Sequence, residues 1–382
     1  MSIVTEIERI QNNIANAYTA CEEKGATLPD VLNSSNLAEC IASITGGEVT
    51  TKTLTYYGKA SNLATERSSL YSSGTNVGSY ALVCGGYHYS KYYSTVDAYS
   101  ISLVKTTATA MSKGRANVAA ENVGDYAIVA GGRTGSAAST ASATVDAYTG
   151  QLVRSTAADL SVGRIFWTKI TAKVGDYALI GSGNNSSDVY TSNIDAYNSS
   201  LVKTTITNDT LKTWGGATEV GDHAIFAGGV MEDGTYLTEV DTYDRNLVRG
   251  TATSLAVARA GINPANNGKY AIFAGGTNGS AVATTDVYNA SLVKTTTENL
   301  AAAKYNGGSI GLGQYAIIAG GRGSSYSKTA ESYDAHLVRT TLSAISVARA
   351  GIASAHIGDY ALFAGGGDGN YNRPEVDVYQ LV

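Results

Sequence analysis

Proline, cysteine and charged residues are scarce in this 382-residue sequence. It has three Pro, three Cys and only 15% Asp, Glu, Lys and Arg, against roughly 25% charged residues in an average soluble domain. So little proline excludes a collagen-like chain or a Pro-rich linker, although Gly is abundant at 43 residues. Cys21, Cys40 and Cys84 are odd in number and lack metal-type spacing, which favours reduced thiols in a protein made in a cytoplasm.

Other absences restrict the partners. The net charge of −5 gives no basic field, so nucleic acid is not an expected partner. No stretch approaches the roughly 18 consecutive apolar residues that cross a bilayer, and Glu6, Glu8 and Arg9 interrupt any secretion signal. Neither a phosphate loop nor a Gly-x-Ser-x-Gly elbow stands out. We expect no membrane span, no Sec-type export and no cofactor.

The sequence is rich in tyrosine and contains an internal repeat. A phrase of the form Tyr-Ala-Ile-Phe-Ala-Gly-Gly returns at intervals of 45 to 51 residues. Its first aromatic residue falls at Tyr80, Tyr126, Tyr177, His223, Tyr270, Tyr315 and Tyr360. A second phrase, Val-Asp-Ala-Tyr, ends at Tyr99, Tyr148, Tyr197, Tyr243, Tyr288, Tyr333 and Tyr379. Six of these are followed by Leu-Val and then Lys or Arg.

Each repeat predicts four short strands and no helix. Small residues suited to a central axis come first, followed by the Tyr-Ala-Ile-Phe-Ala run that ends at Gly-Gly, then Val-Asp-Ala-Tyr, then Leu-Val-Lys-Thr-Thr. Four strands in about 45 residues is the pattern of a β-propeller blade. The sequence therefore predicts an all-β, seven-bladed β-propeller over residues 53–382, with a small α-helical segment before it.

The repeat resembles the Kelch repeat. The likeness rests on the Gly-Gly strand, the strand ending in Tyr and the Arg-led first strand, and it covers about residues 53–382. One departure is Leu in the outermost strand, where the family usually has Trp. Some Kelch-type propellers are copper radical oxidases, but the four histidines here occupy four different repeat registers, so no metal site is expected: His88, His223, His336 and His356.

The two ends of the repeat region predict how the ring closes. Leu381 and Val382 come where another outer strand should begin, and residues 53–57 lie in the register of that missing strand. We expect the two segments to share one blade, which removes an open sheet edge.

Residues 1–45 contain no repeat phrase and predict two short helices, with residues 46–52 as a linker. Ile3, Ile7, Ile10 and Ile14 lie on one helical seam. One interpretation is a helical hairpin folded against the propeller or on itself. The other is an attachment and oligomerisation segment, since isoleucine at both seam positions favours a homotrimer.

Residues 7–44 also resemble a short helical element that opens many tail and structural proteins of phages of Gram-positive bacteria. The likeness rests on an Ile and Gln alternation, the Lys24–Gly25 turn, the Leu28–Pro29 step and a final Ile41-x-x-Ile44. The resemblance implies a virion protein of a phage tail that contacts other virion proteins through residues 1–45. Without it, a cytoplasmic location is expected.

The loops between the second and third strands vary from repeat to repeat. They are rich in Tyr, Asn, Ser and Gly, which supply aromatic area and adaptable hydrogen bonds at recognition surfaces. The densest aromatic cluster is Tyr87, Tyr89, Tyr92 and Tyr93, whose rings suit stacking on sugars. The alternative is that these are ordinary solvated loops.

A cation precedes the innermost strand in six of the seven repeats. These residues are Arg67, Arg115, Arg164, Arg259, Lys304 and Arg349, with Gly215 at the remaining position. They either form a ring at one mouth of the central channel that binds carboxylates or phosphates, or pair with an acid of the third strand. The acids are Asp97, Asp146, Asp195, Asp241, Asp286, Glu331 and Asp377.

The third and fourth repeats break the pattern. Trp167 follows Arg164 closely, and Trp214 stands beside Gly215. We predict a ligand pocket in which the two tryptophans stack on a ligand and Arg164 anchors it. Irregular core packing is the alternative.

Together these features predict a non-enzymatic binding module. In the phage interpretation, its variable loops bind a bacterial surface glycan or protein. Two alternatives stay open, which are an intracellular Kelch-type protein-interaction scaffold and a sugar-modifying propeller enzyme.

Overall fold

The computed structural model describes residues 52–136, 140–185, 189–207 and 212–382, together with Ile14, Ala17 and Tyr18. The chain divides into two compact units, Met1–Thr53 and Leu54–Val382. In the first unit, Ile14, Ala17 and Tyr18 are helical and Tyr18 is buried. The rest of the predicted seam, the segment resembling the phage element and residues 46–51 of the predicted linker lie outside the described residues. None of the described helical residues belongs to a helix long and apolar enough to cross a membrane.

The second unit opens with β1 (Leu54–Ala60) and continues through seven four-stranded antiparallel sheets, here called blades 1 to 7. Blade 1 contains β2 (Gly74–Val77), β3 (Tyr80–Cys84), then, after the small hairpin β4 (Tyr87–His88) and β5 (Lys91–Tyr92), β6 (Val96–Ser100) and β7 (Lys105–Thr107). Blade 2 contains β8 (Ala119–Val123), β9 (Tyr126–Ala130), β10 (Val145–Thr149) and β11 (Arg154–Thr156). Blade 3 contains β12 (Thr171–Val174), β13 (Tyr177–Ile180), β14 (Asn193–Asn198) and β15 (Lys203–Thr207).

The remaining blades repeat this order. Blade 4 contains β16 (Gly216–Val220), β17 (His223–Ala227), β18 (Val240–Tyr243) and β19 (Arg249–Thr251). Blade 5 contains β20 (Asn263–Asn266), β21 (Tyr270–Thr277), β22 (Ala281–Asn289) and β23 (Lys294–Thr295). Blade 6 contains β24 (Gly308–Leu312), β25 (Tyr315–Ala319), β26 (Ala330–Tyr333) and β27 (Arg339–Leu342). Blade 7 contains β28 (Ala353–Ile357), β29 (Tyr360–Ala364), β30 (Val376–Leu381) and, as its outermost strand, β1.

The blades form a closed ring. Each innermost strand contacts the innermost strand of the next blade, from β2 through β28, and β28 contacts β2. In blade 7, β1 pairs with β30 in an antiparallel register that joins Leu54 to Leu381 and Tyr56 to Tyr379. The predicted fold class, an all-β seven-bladed propeller, is confirmed.

The second strand of each blade is buried on both faces because sheets pack on either side of it. In β3, Ala81, Leu82, Val83 and Cys84 are at most 1% exposed. The Gly-Gly pair that follows allows close blade-to-blade approach: Gly85 has φ +65°, and a Cβ there would lie 2.3 Å from the Arg115 carbonyl oxygen of the next blade.

The fourth strand begins two residues later than the sequence predicted. The leucine of each Leu-Val pair has a left-handed φ between 57° and 63° and belongs to the turn, so the strand starts at the Lys or Arg. These leucines are Leu103, Leu152, Leu201, Leu247, Leu292 and Leu337. A residue with positive φ cannot continue an extended strand, which explains the difference.

The tyrosine at the end of each third strand is buried and connects neighbouring blades. The Tyr99 hydroxyl donates to the Ser61 carbonyl, at 2.8 Å, and the Tyr288 hydroxyl donates to the Thr253 carbonyl, at 2.7 Å. Each acceptor lies just after the outermost strand of the preceding blade. In five blades the repeated tyrosine adds such a hydrogen bond to its hydrophobic packing, whereas the buried Tyr148 hydroxyl of blade 2 has no partner within the described residues.

Candidate functional site

The predicted cations lie inside the blades. Their residues are at most 1% exposed and each contacts the third-strand acid of its own blade. The pairs are Arg67 with Asp97, Arg115 with Asp146, Arg164 with Asp195, Arg259 with Asp286 at 2.8 Å, Lys304 with Glu331 at 3.1 Å and Arg349 with Asp377 at 2.7 Å. The cations therefore pair with acids inside the blades, as one of the two sequence interpretations predicted. They do not form a ring of exposed cations at the mouth of the channel.

Lys212 is the cation of blade 4. Its Nζ lies 2.7 Å from Asp241, and it is 5% exposed. The sequence alignment that put Gly215 at this position was therefore wrong by three residues. Lys212 lies 11 residues before His223, which is the spacing of Arg259 to Tyr270 and of Arg349 to Tyr360. Burial alone raises the pKa of Asp241, but Lys212 and Arg249 together hold that pKa below its ordinary value.

A large cavity lies at the face where the loops between second and third strands meet the segments that precede the innermost strands. Its volume is about 860 Å³, and we call it the loop-face cavity. Nine aromatic residues line it, and six of them are Tyr71, Tyr87, Trp167, Trp214, Tyr305 and Tyr326. Tyr89, Tyr190 and Tyr371 also contribute to its lining.

Two positions in each blade place residues at this face. The residue after the inner cation forms a β-bridge with the residue after the Gly-Gly or Gly-Ser-Gly sequence in all seven blades. The bridges join Ser68 to Tyr87, Ala116 to Arg133, Ile165 to Asn184, Thr213 to Val230, Ala260 to Thr277, Tyr305 to Arg322 and Ala350 to Gly367. The backbone pairing is constant while the side chains vary, so each blade can present a different side chain there.

Backbone hydrogen bonds join successive blades beneath the cavity. The second residue after the cation supplies most of the carbonyl acceptors. The bonds run from Gly261 N to Trp214 O, Asn306 N to Gly261 O, Gly351 N to Asn306 O, Leu70 N to Gly351 O, Asn117 N to Ser69 O and Phe166 N to Asn117 O, at 2.8 to 3.2 Å. Trp214 adopts φ +62° here, which is rare for a bulky residue and is a form of strain that often accompanies function.

Three polar atoms of cavity-lining residues are buried without a hydrogen-bond partner in the described part of the chain. They are Trp214 Nε1, Asn184 Oδ1 and Asn306 Oδ1. Buried polar groups are normally paired, and leaving one unpaired costs about 1–3 kcal/mol. Because these three atoms have almost no accessible surface, they lie beneath the cavity wall and are not open to a ligand in this arrangement.

The aromatic walls are held by ring contacts. Tyr71 meets Trp167 edge to face at 6.3 Å between centroids, and Trp214 meets Tyr305 at 6.4 Å with an interplanar angle of 89°. Burial raises the pKa of Tyr71, so its hydroxyl stays protonated at neutral pH.

Arginine also borders the cavity. Arg322 lines it and lies over the Tyr326 ring, 5.4 Å from its centroid. Arg133, at the equivalent position of blade 2, lies over the Trp167 ring at 5.3 Å and near Tyr92 at 5.8 Å.

The structure brings together only part of the predicted site. Trp167, Trp214, Tyr87 and Tyr89 line the cavity. Outside its lining, Tyr92 packs against Tyr87 at 5.2 Å and Tyr93 contacts Lys91 at 4.9 Å. The predicted anchor Arg164 is fully buried against Asp195, so it is unavailable to a ligand in this arrangement.

Sequence reasoning missed several lining residues. Chief among them are Tyr71, Asn184, Tyr305, Asn306, Arg322 and Tyr326. A signal was present: Asn184 and Arg322 directly follow the glycine-rich end of the second strand, and Asn306 is the second residue after Lys304. Comparing repeats at these two positions would have found them.

Metal-binding groups are not assembled in the part of the chain that the structure describes. No three or more His, Cys, Asp or Glu residues come together there in an arrangement that could hold a metal ion. Cys84 is fully buried, and burial raises the pKa of its thiol to about 12.

Comparison with solved structures identifies the class as a β-propeller. The structure of YjhT is similar with a TM-score of 0.53 and 12% identity, over 84% of this chain and 96% of that one. A fungal alcohol oxidase of the AA5 family, solved in complex with copper, is similar with a TM-score of 0.63 and 10% identity, over 87% of this chain and 77% of that one. At these identities the likeness shows the fold alone.

No protein-family profile matches the chain, and no curated protein sequence matches it significantly. The Kelch and phage-tail resemblances therefore remain resemblances.

Proposed function

We propose that this protein is a non-enzymatic binding module whose loop-face cavity binds a saccharide. The observation that carries the proposal is the composition of the cavity lining, which combines nine aromatic rings with short polar side chains such as Ser68, Asn370 and Asn372. A saccharide has apolar C–H faces that stack on rings and hydroxyls that both donate and accept hydrogen bonds. Its two kinds of surface match the two kinds of lining.

The size of the cavity supports a small ligand or one end of a longer chain. Ligand pockets typically measure about 300–1,000 Å³, and this one measures about 860 Å³. Tyr89, at 81% exposure, and Tyr371, at 62%, extend aromatic surface beyond the enclosed part. A glycan chain has room to continue across these two rings.

The sugar-modifying enzyme is the second candidate, because a structural neighbour is an alcohol oxidase. Acid–base catalysis on a sugar commonly uses a pair of carboxylates or a histidine. Among the described residues, the cavity lining contains no Asp, Glu, His or Cys. This composition favours binding over catalysis.

A glycan array followed by calorimetry tests the proposal. We expect Trp214→Ala and Trp167→Ala each to weaken binding of the array hits by about tenfold or more, since central aromatic residues contribute most to binding. Tyr57→Ala is the matched control, because Tyr57 is a half-exposed aromatic on β1 outside the cavity lining. Unchanged binding in both tryptophan variants would contradict the site, and product formation from a bound glycan would favour the enzyme.

The biological setting is proposed from the sequence resemblance. In it, the cavity meets a bacterial surface glycan or protein, and residues 1–45 attach the protein to a phage tail as a homotrimer. Light scattering of the full chain and of a chain beginning at Lys52 tests the attachment segment. An assembly lost on truncation supports the trimer, whereas two monomers contradict it.

An intracellular protein-interaction scaffold would instead bind an acidic peptide. Binding of peptides without any glycan hit would favour that alternative. Neighbouring genes for tail or baseplate proteins would favour the phage setting.

A further inference from the structure

Among the arginines of the described residues, Arg322 and Arg133 are the two without an acidic partner, and of these two Arg322 lines the loop-face cavity. The inner arginines each contact a buried carboxylate, as does Arg154 on an outer strand. Within the described part of the chain, Arg322 has neither an ion pair nor a side-chain hydrogen bond, although it lines the loop-face cavity. Its side chain lies over the Tyr326 ring, with Cζ 5.4 Å from the ring centroid.

The side-chain hydrogen-bond donors of Arg322 are unused within the described residues. Its Cζ lies 5.4 Å from the centroid of the Tyr326 ring, and no side-chain hydrogen bond engages its five N–H groups there. Tyr326 can therefore hold Arg322 beside the cavity through a cation–π contact. A planar fork with free donors matches the oxygens of a carboxylate or a phosphate.

The surroundings leave this positive charge uncompensated. No described Asp or Glu lines the loop-face cavity, although the whole protein has a net charge of −5. Arg133, at the same repeat position in blade 2, lies over Trp167, which does line the cavity. Burial raises the pKa of Tyr71, and the charges of Arg133 and Arg322 both act against that rise, so the fields of both guanidinium groups reach the same cavity residue.

We propose that the ligand is an anionic saccharide and that Arg322 binds its carboxylate or phosphate group. This inference rests on the proposed saccharide-binding function and specifies the ligand class. The aromatic rings bind the apolar faces of the sugar, polar side chains of the lining such as Asn370 and Asn372 hydrogen-bond to its hydroxyls, and Arg322 selects the charged substituent. Arg133 adds to the positive potential without contacting the ligand.

Matched probes separate charge recognition from sugar recognition. Binding is measured for glucose, glucuronate and glucose 6-phosphate, for galactose and galacturonate, and for neutral and acidic oligosaccharides on an array. We expect wild-type protein to bind acidic members about tenfold or more tighter than neutral ones, as for a charge-assisted hydrogen bond. Comparing the uronates with glucose 6-phosphate shows whether Arg322 prefers a carboxylate or a phosphate group.

Arg322→Gln removes the charge and keeps a polar side chain. We expect it to abolish the preference for acidic probes while binding of neutral probes stays within about twofold. Arg245→Gln is the matched control, since it also removes one positive charge but lies in an exposed ion pair with Asp222, in turns at the opposite ends of the strands. The preference of the wild-type protein for acidic over neutral probes should also fall when NaCl rises from about 50 to 500 mM, because salt screens the attraction between charges.

The outcomes distinguish the two proposals. Neutral and acidic probes bound equally by wild-type protein, or an unchanged preference in Arg322→Gln, would overturn the anionic ligand and leave saccharide binding intact. Failure of every saccharide to bind would overturn the saccharide-binding function and this inference with it. Thermal unfolding of each variant checks that a lost preference does not come from a lost fold.

Discussion

At the scale of single residues, every blade contains one buried cation and one buried acid, and the two pair with each other inside the blade. The inner cation and the third-strand acid are both buried, and most of these acids also accept from backbone amides, as Asp286 does from Ala256 N at 3.1 Å. Removing one partner of a buried pair leaves an uncompensated charge, which is far more costly than losing an exposed pair. The arginines that remain for function are those without a carboxylate, such as Arg322.

Lys212→Met tests the reassigned cation of blade 4. We expect it to lower the free energy of unfolding by about 1–3 kcal/mol at pH 7, because Asp241 loses the Lys212 ammonium at 2.7 Å but keeps Arg249, also at 2.7 Å. The pKa of Asp241 is lowered in the folded state, so this contribution is present above the unfolded value near 4 and is lost as pH falls through the folded pKa.

Urea unfolding at pH 7 and at pH 3 measures this effect. The gap between wild type and Lys212→Met should narrow at pH 3. Lys269→Met, on an exposed turn, is the control and should change stability by no more than about 0.5 kcal/mol. Equal effects of the two variants at pH 7 would show that Lys212 is not the paired cation.

At the scale of elements, the backbone structure of the blades is constant, whereas the side chain at one position after the second strand differs from blade to blade. The backbone bridge beyond the second strand recurs in all seven blades, whereas its side chain changes from Tyr87 to Arg322 to Gly367. The outermost strand varies as well. In blade 7 it is β1, and the Tyr56 hydroxyl donates to Asp377 at 2.6 Å, where blade 2 uses Arg154 on Asp146 at 3.0 Å.

Tyr56→Phe tests whether the Tyr56 hydroxyl does for Asp377 in blade 7 what an outer-strand cation does for the acid in blade 2. We expect a loss of about 1.5 kcal/mol in urea unfolding, the typical contribution of a hydrogen bond to a charged group. Tyr57→Phe is the control on the same strand, because its ring is 50% exposed and its hydroxyl has no hydrogen bond within the described residues. Indistinguishable stabilities of the two variants would mean that the Tyr56 hydroxyl adds nothing to blade 7.

At the scale of the whole propeller unit, ring closure and the candidate site depend on different parts of the chain. Blade 7 combines β1 with the three strands nearest the carboxyl end, so its outer edge is supplied from residues more than 300 positions away in sequence. The loop-face cavity instead collects side chains from blades 1, 3, 4, 6 and 7. The aromatic residues on its walls come together only when the ring is complete.

Two truncations test the role of β1. A chain beginning at Lys52 keeps the strand and should remain folded and monodisperse in size-exclusion chromatography. A chain beginning at Ser61 leaves the edge of β30 unpaired, and we expect it to aggregate or to lose its cooperative thermal transition. Equal stability and solubility of the two chains would show that β1 is dispensable for the ring.

The sequence was most informative where one structural requirement recurs in every repeat. The buried second strand, the glycines after it and the tyrosine of the third strand appear seven times with little change, so the strand pattern and blade number were predictable. The positions of Tyr71 and Tyr326 were not, because neither belongs to a repeated phrase. The start of the fourth strand was misplaced because Leu-Val has high strand propensity while the turn requires a left-handed leucine.

By itself, the sequence determined the kind of unit and the number of units, since local strand periodicity and turn residues act within about 45 residues. Only the tertiary structure decided which cations are buried and which side chains face the cavity. Burial of Arg164 depends on the packing of whole blades, and the meeting of Trp167 with Tyr71 depends on blades 1 and 3 converging near the axis. Contacts of that kind arise from ring closure, which no single repeat encodes.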